Sequence, residues 1–246
     1  VSSANTSPQD VGVVGWATGG GHGVLTGEYG MGADNILEAV VVTPNGELLT
    51  ANACQNEDMF WAIRGGGGGT FGVILSITIK AYPQPVVDVH GLSIVANNGT
   101  SSKSWWKLIA QVHALLPQLQ DQGLKGYYTI NGAPSTFQCA GSLFLFNKPN
   151  GTFENITRPL QQLLAAANGT VTYSLAKIPL ANYYDILELL PASENVGTTT
   201  AITASRLITR RAVTEDQDVV AQTFEEIGPR AIAPLVKQTI KFHENQ

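Results

Sequence analysis

Charged side chains are scarce in this sequence. They make up 13% of it, about half of the roughly 25% of an average globular protein. Disorder requires high polarity and high net charge, so this scarcity points to a packed chain. The 43% of hydrophobic residues is enough for a sizeable core. Basic residues are in deficit, 14 against 19 acidic, for a net charge of −5. That excludes the basic footprint of a nucleic-acid binder. No apolar run approaches the roughly 18 residues of a membrane span. Cysteine is nearly absent. Cys54 and Cys139 match neither a metal spacing nor a CxxC motif. A disulfide between them and two small buried thiols both stay open. The opening "VSSANTSPQD" lacks an initiator Met, a basic n-region and an apolar h-region, so it is not a signal peptide. It reads as the interior of something longer, with a companion N-terminal part expected. The end, "KFHENQ", carries no stop signal.

What is abundant is glycine and sequons. Five Asn-x-Ser/Thr sequons occur, at Asn5, Asn98, Asn150, Asn155 and Asn168. Together they suggest a glycosylated, secreted protein; the alternative is coincidence in a Thr-rich chain. Residues 1–35 are glycine-rich with few helix or strand signals. "ILEAVVVT", "PNGE" and "LLTANA" read as a β-hairpin. Asn56 then caps a short helix with Met59, Phe60 and Ile63 on one face, and Gly65 ends it. "GVILSITIKAYP" reads as a strand, with Val73, Leu75, Ile77 and Ile79 facing one way. The prolines of "PQPVVD" mark a domain boundary. Beyond it, strands are expected at 86–95, 126–130, 137–146, 171–175 and 199–209. Helices are expected at 102–116, 153–167, 180–190 and 214–227. This interleaving predicts an α+β fold with an antiparallel sheet covered by helices. Trp105 and Trp106 begin a helix that packs on the sheet, a sugar platform being the other use. His113 sits in an apolar helical pattern and reads as structural.

Five consecutive glycines, Gly65–Gly69, interrupt "WAIRGGGGGTFGVI". A P-loop would need Lys and Ser/Thr after the last glycine, but Thr70 and Phe71 follow. Gly67, Gly69 and Gly72 satisfy G-x-G-x-x-G. That fingerprint must follow a strand and open a helix, and here the order is inverted. A second cluster, "GWATGGGHGVLTGEYGMGADN" (Gly15–Asn35), favours a different reading. Two segments without side chains can bring backbone N–H groups to one large anionic ligand.

At "YGMGADNILEAVVV" and "DMFWAIRGGGGGTFGVI" the sequence resembles the FAD-linked oxidases of vanillyl-alcohol-oxidase type, in their berberine-bridge-enzyme-like branch. The resemblance covers about residues 8–83 and is diffuse beyond. It implies that residues 1–84 are the C-terminal part, or second half, of a two-subdomain FAD-binding domain. Residues 85–246 would be an incomplete substrate domain whose sheet covers the flavin. The cofactor implied is FAD, and the partners are a small-molecule substrate and oxygen, with no nucleic acid and no membrane. The reaction implied is hydride transfer from an alcohol, sugar or secondary metabolite to flavin N5 with reoxidation by oxygen, as in a carbohydrate or alcohol oxidase; a flavin-dependent dehydrogenase or cyclase of secondary metabolism and a non-catalytic protein retaining the fold are the alternatives. Cofactor contacts would come from Gly12, Gly15, Trp16, Thr18, Gly19, Gly20, Gly21, His22, Gly23, Asn35, Gly72 and Val73. Asn35 would hold the glycine loop. No metal is implied.

Departures from the family pattern matter. His22 superficially looks like the family's flavin-attaching His, but its context is that of the second loop, so covalent attachment is expected outside this chain. Pro8 occupies the position of the family's second linking residue, a Cys. Trp16 stands where some members carry a His, and an indole would pack. Candidates for the catalytic base or substrate anchor are Tyr127, Tyr128, Gln138 and Arg206, all on expected strands.

Overall fold

The computed structural model describes residues 12–132, 136–180, 182–186, 207–228 and 238–241. They divide into two compact units. The first is Val1–Gln84 with Tyr183–Thr198, and the second is Pro85–Asn182 with Thr199–Gln246.

The first unit opens on two short helices, α1 (Val13–Thr18) and α2 (Thr26–Tyr29), in a stretch where the sequence shows little helical signal. The expected hairpin follows as β1 (Ile36–Val42) and β2 (Leu48–Asn52), closed through Thr43 and Glu47. Helix α3 (Glu57–Ile63) leads to β3 (Val73–Ile79). The antiparallel sheet has the order β2-β1-β3. Its core face carries Ile36, Ala39, Val41 and Ala51, covered by Ala17 of α1 and by Phe60 and Ile63 of α3.

Two expectations fail here for identifiable reasons. The side chain of Asn56 does not cap α3; it donates to the carbonyl of Thr50 at 2.8 Å, with φ at +50°. The alternation on β3 also breaks. Val40 pairs with Ser76 but Val41 with Ile74, so Leu75 is an extra residue on β3. A bulge shifts the facing of everything beyond it. Ile74 joins Ile77 on the core, while Val73 and Leu75 are 64% and 60% exposed.

In the second unit, β4 (Val87–Ala96), β5 (Lys125–Asn131), β6 (Gln138–Phe146), β7 (Val171–Ile178) and β8 (Gln238–Lys241) form an antiparallel sheet ordered β7-β4-β6-β5-β8. Four helices accompany it: α4 (Ser102–Asp121), α5 (Thr152–Ala166), α6 (Arg210–Thr214) and α7 (Gln217–Ile227). Ser101 caps α4, accepting from the Ser104 amide at 3.1 Å. The helix expected over 214–227 is split in two, because Asp216 accepts from the amides of Asp218 and Val219 and starts α7 afresh. Leu207–Thr209 are irregular rather than strand, and the rest of that expected strand lies outside the described residues. Of the helix expected over 180–190, Tyr183–Asp185 form a 3-10 turn. The sequence gives no warning of β8.

The long helices α4, α5 and α7 share one core with one face of the sheet. Trp105 and Trp106 are buried in it, the ring of Trp105 stacked 5.7 Å from Phe137, which rules out their use as a sugar platform. Cys139 is buried and Cys54 exposed, both as free thiols. His113 and Tyr128 are the polar centre of this core. Nδ1 of His113 lies 2.7 Å from the carbonyl of Ile109, which can only accept, so Nδ1 carries the proton. Tyr128 therefore donates its hydroxyl proton to Nε2, at 2.7 Å.

Burial pulls the His113 pKa down from 6.5 to about 4, partly offset by the Ile109 carbonyl. Unfolded chains take up this proton near pH 6.5, whereas the fold resists until about pH 4. The stability tied to neutral His113 is complete above pH 6.5 and falls as the pH drops towards 4, by up to roughly 3 kcal/mol. Replacing His113 with Leu should flatten the pH slope of thermal stability across that window. An unchanged slope would assign it to other groups.

Candidate functional site

The first unit brings its glycine segments together. The Gly67 amide donates to the carbonyl of Thr18 at 3.0 Å, tying the five-glycine row to the end of α1. The loop after α1 is held from its other side, where Gly32 N–H donates to Gly21 O at 2.7 Å and Ala33 N–H to Gly20 O at 3.0 Å. Asn35 fixes that second strap by donating to the carbonyls of Tyr29 (2.9 Å) and Met31 (2.8 Å). Its oxygen accepts from the Tyr82 hydroxyl at 2.7 Å, and the Tyr82 ring stacks 4.2 Å from Tyr29.

Several of the site residues read from the sequence are engaged by the fold itself. Trp16 donates to His22 O at 3.0 Å, and its ring fills the space a side chain on Gly32 would need. Thr18 is buried, with its hydroxyl on Val14 O at 2.9 Å, so it can offer a ligand no hydroxyl. The Gly23 amide is taken by Thr26 Oγ1 at 2.8 Å. A Cβ on Gly19 would press on Gly15 O, on Gly20 on the Met31 side chain, on Gly21 on Gly32, and on Gly72 on Val42. Val73 pairs with Val42 at the end of the sheet.

The same test sorts the glycine row. Gly65, Gly67 and Gly69 have φ of +118°, +97° and +71°, where L-residues are strained. A Cβ on Gly66 would collide with the Ala62 carbonyl oxygen and the Phe71 ring. Gly68 has neither excuse. Its φ is not positive, and a Cβ there would meet only Thr18 Oγ1 at 3.7 Å and the Gly15 Cα at 3.8 Å. Gly15 is equally unexplained: it sits inside a helix, where glycine costs about 1 kcal/mol relative to Ala, and a Cβ on it meets nothing described within 4 Å. Two exposed glycines for which the described residues give no structural need therefore stand side by side. They make an open backbone surface with room for a ligand. Gly12, the residue before α1, is also exposed.

In the second unit, strand alternation sends the two adjacent tyrosines to opposite faces. Tyr128 is buried against α4, and burial raises its pKa. This placement argues against Tyr128 as a base, because its hydroxyl is committed to His113 in the core. Tyr127 and Gln138 lie on the other face of the sheet. Register aligns three rows there: Tyr127–Ser142–Gly91–Ala176, Thr129–Ala140–Ser93–Ser174 and Asn131–Gln138–Val95–Thr172. The rows are rich in hydroxyls and amides, and on β8 the Tyr127 row continues to Lys241 and the Thr129 row to Thr239. Arg206 lies outside the described residues.

Residues 2–52 match the family described as FAD binding domain. The chain is 36% identical over 242 residues to the FAD-linked oxidoreductase hmp9 of Hypomyces subiculosus, covering 93% of this chain and 37% of that protein. Among solved structures, the VAO-type flavoprotein MtVAO713 from Myceliophthora thermophila superposes with a TM-score of 0.77 at 32% identity, over 90% of this chain and 40% of that one. The chain belongs to the VAO-type FAD-linked oxidoreductases. The Physcomitrella patens BBE-like 1 protein shares the fold at 21% identity, with a TM-score of 0.58 over 76% of this chain and 37% of its own. The chain thus spans well under half the length of each of these VAO-type relatives.

FAD, the cofactor of this family, fits the glycine surface of the first unit. The backbone is bare at Gly15 and Gly68, and the strap through Asn35 keeps the neighbouring loop in place. Gly68 belongs to the five-glycine row that the sequence already singles out, and its geometry separates it from Gly69, whose φ of +71° the fold itself requires. Replacing Gly15 with Ala should keep or raise the melting temperature, because helix propensity improves by about 1 kcal/mol, yet lower FAD content severalfold. Gly68→Val should do the same and exceed the effect of a Thr70 substitution. Full flavin content in both variants would return these glycines to the fold alone.

Proposed function

We propose that the chain serves an FAD-dependent oxidase acting on an alcohol carbon of a sugar or a secondary metabolite. The observation that carries this reading is the Gly15–Gly68 surface, two glycines with no role in the fold brought together by the Gly67–Thr18 hydrogen bond. FAD, when bound, supplies a two-electron acceptor at N5 that oxygen can reoxidise with release of hydrogen peroxide. The first unit, as the C-terminal part of the FAD-binding domain, holds the cofactor through backbone.

The second unit takes the substrate on the face of its sheet opposite α4, α5 and α7. Hydroxyls of Ser93, Thr129, Ser142 and Ser174 can each donate and accept, which suits an oxygen-rich substrate. Tyr127, once its own proton has been lost so that it stands as the tyrosinate, would receive the substrate hydroxyl proton while the same carbon gives up its hydride, and Gln138 orients the substrate on the same face. Replacing Tyr127 with Phe should lower kcat by about 10²–10⁴-fold, the usual contribution of a general base, with FAD content retained. Replacing Tyr128 with Phe should instead lower stability by roughly 1–3 kcal/mol, through the unpartnered His113 Nε2, and leave kcat within a few-fold. The reverse pattern would exchange the two assignments. Peroxide release on a panel of alcohols and oligosaccharides tests the oxidase itself. Flavin reduction without peroxide would make it a dehydrogenase, and a colourless protein that takes up no FAD would overturn the reading.

The described sequon asparagines, Asn98, Asn150, Asn155 and Asn168, are all exposed. Asn5 lies outside the described residues. We place N-glycans on these asparagines and the protein on the secretory route. An N-glycosidase should lower the mass of the secreted protein and leave Asp at the occupied positions. An unchanged mass would remove the glycans from this account.

A further inference from the structure

The two glycine segments of the first unit are held in a closed loop of contacts, and one side chain completes it. Starting from Thr18, the chain runs to Gly20, whose carbonyl accepts from the Ala33 amide at 3.0 Å. The Ala33 carbonyl accepts from Nε of Arg64 at 2.9 Å. The chain then runs from Arg64 to Gly67, whose amide returns to Thr18 O at 3.0 Å. Every other link is backbone. Among the described residues, Arg64 joins the head of the five-glycine row to the turn that carries Ala33, 31 positions away.

Its guanidinium is oriented on three sides. Asp34 Oδ1 lies 3.8 Å from Nη2, and the other oxygen of Asp34 accepts from the Met31 amide at 2.8 Å. Cζ lies 5.0 Å over the Phe60 ring. A planar group with a fixed Nε–H suits this position. A lysine ammonium could reach one partner but could not stack and donate in the same geometry.

We propose that Arg64 is a positioning residue for FAD: it sets the separation of the two glycine segments and so the shape of the surface at Gly15 and Gly68. The proposal rests on the FAD reading of that surface. It differs from a general stabilising role, because α3 and the sheet already share a core through Phe60 and Ile63 without it. Removing the guanidinium should therefore let the row drift from the Ala33 turn while the unit stays folded.

The test uses the full-length protein with Arg64→Gln and Arg64→Lys, and with Ile63→Val as a packing control. Three quantities are read: FAD per protein after desalting, the visible absorption spectrum of the retained flavin, and circular dichroism. Arg64→Gln should keep the dichroism of the wild type, retain at least fivefold less FAD and shift the flavin spectrum. Arg64→Lys should recover part of the content. Ile63→Val should lower the melting temperature with full FAD and an unshifted spectrum. If wild-type protein binds no FAD, the underlying reading fails and this proposal with it. If the wild type binds FAD and a folded Arg64→Gln binds as much with the same spectrum, only the proposal fails. If Arg64→Gln does not fold, Arg64→Lys decides. Reduced FAD in folded Lys protein supports the positioning role. Full content, or failure to fold, overturns it in favour of plain stability.

Discussion

The hydrogen bond from the Gly67 amide to the Thr18 carbonyl is the contact on which the first unit's site depends. It joins two glycine-rich stretches far apart in sequence, with backbone on both sides of the bond. A backbone bond of this kind is worth only about 1 kcal/mol net. It is maintained because both ends are anchored elsewhere, Thr18 by its burial at the end of α1 and Gly67 by the helix α3, which ends just before Arg64. The fold thus spends its ordinary packing on placing a bare surface. That division of labour explains why so many glycines of the region are already committed. Most shape the loops, and a few are left to face outward.

Much of the architecture was legible in the residues. The hairpin around Asn45 and Gly46, the helix at Glu57–Ile63 and the strands β4, β5, β6 and β7 of the second unit follow from turn chemistry and periodicity. The antiparallel sheet with helices on one face follows from their interleaving. What failed did so for local reasons. Helix α1 is hidden because Gly12, Gly15 and Gly19 mask its pattern, and its one buried apolar residue, Ala17, is small. Leu75 reads as a core residue in a strict alternation, and a bulge that no short-range signal announces turns it outward. Asn56 has the side chain of a helix cap but spends it on Thr50, because its own backbone is left-handed.

The candidate site was legible at the level of chemistry more than of residues. Two glycine-rich segments suggested an anionic ligand held by backbone. Which glycines face it could not be read from composition, since each one looks alike until its φ and its neighbours are known. Arg64 illustrates the limit. In the sequence it is a basic residue closing a helix, where a favourable dipole interaction is explanation enough. Its partner, the Ala33 carbonyl, carries no sequence signature at all.

The adjacent tyrosines of β5 give the sheet an unusual dependence on counting. A shift of one residue in the pairing of β5 with β6 would send Tyr127 into the core and Tyr128 out of it. The two side chains are identical, so they do not themselves tell the two registers apart, although the slip would also bury Lys125 and Asn131 and expose Ile130. What further opposes it is His113, which accepts from a tyrosine hydroxyl at one height only, and Gly141, whose missing side chain leaves room beside the Tyr128 backbone. The buried pair therefore acts as a phase marker for the strand. It sits one layer away from the face where chemistry is assigned, and it determines which phenol that face receives.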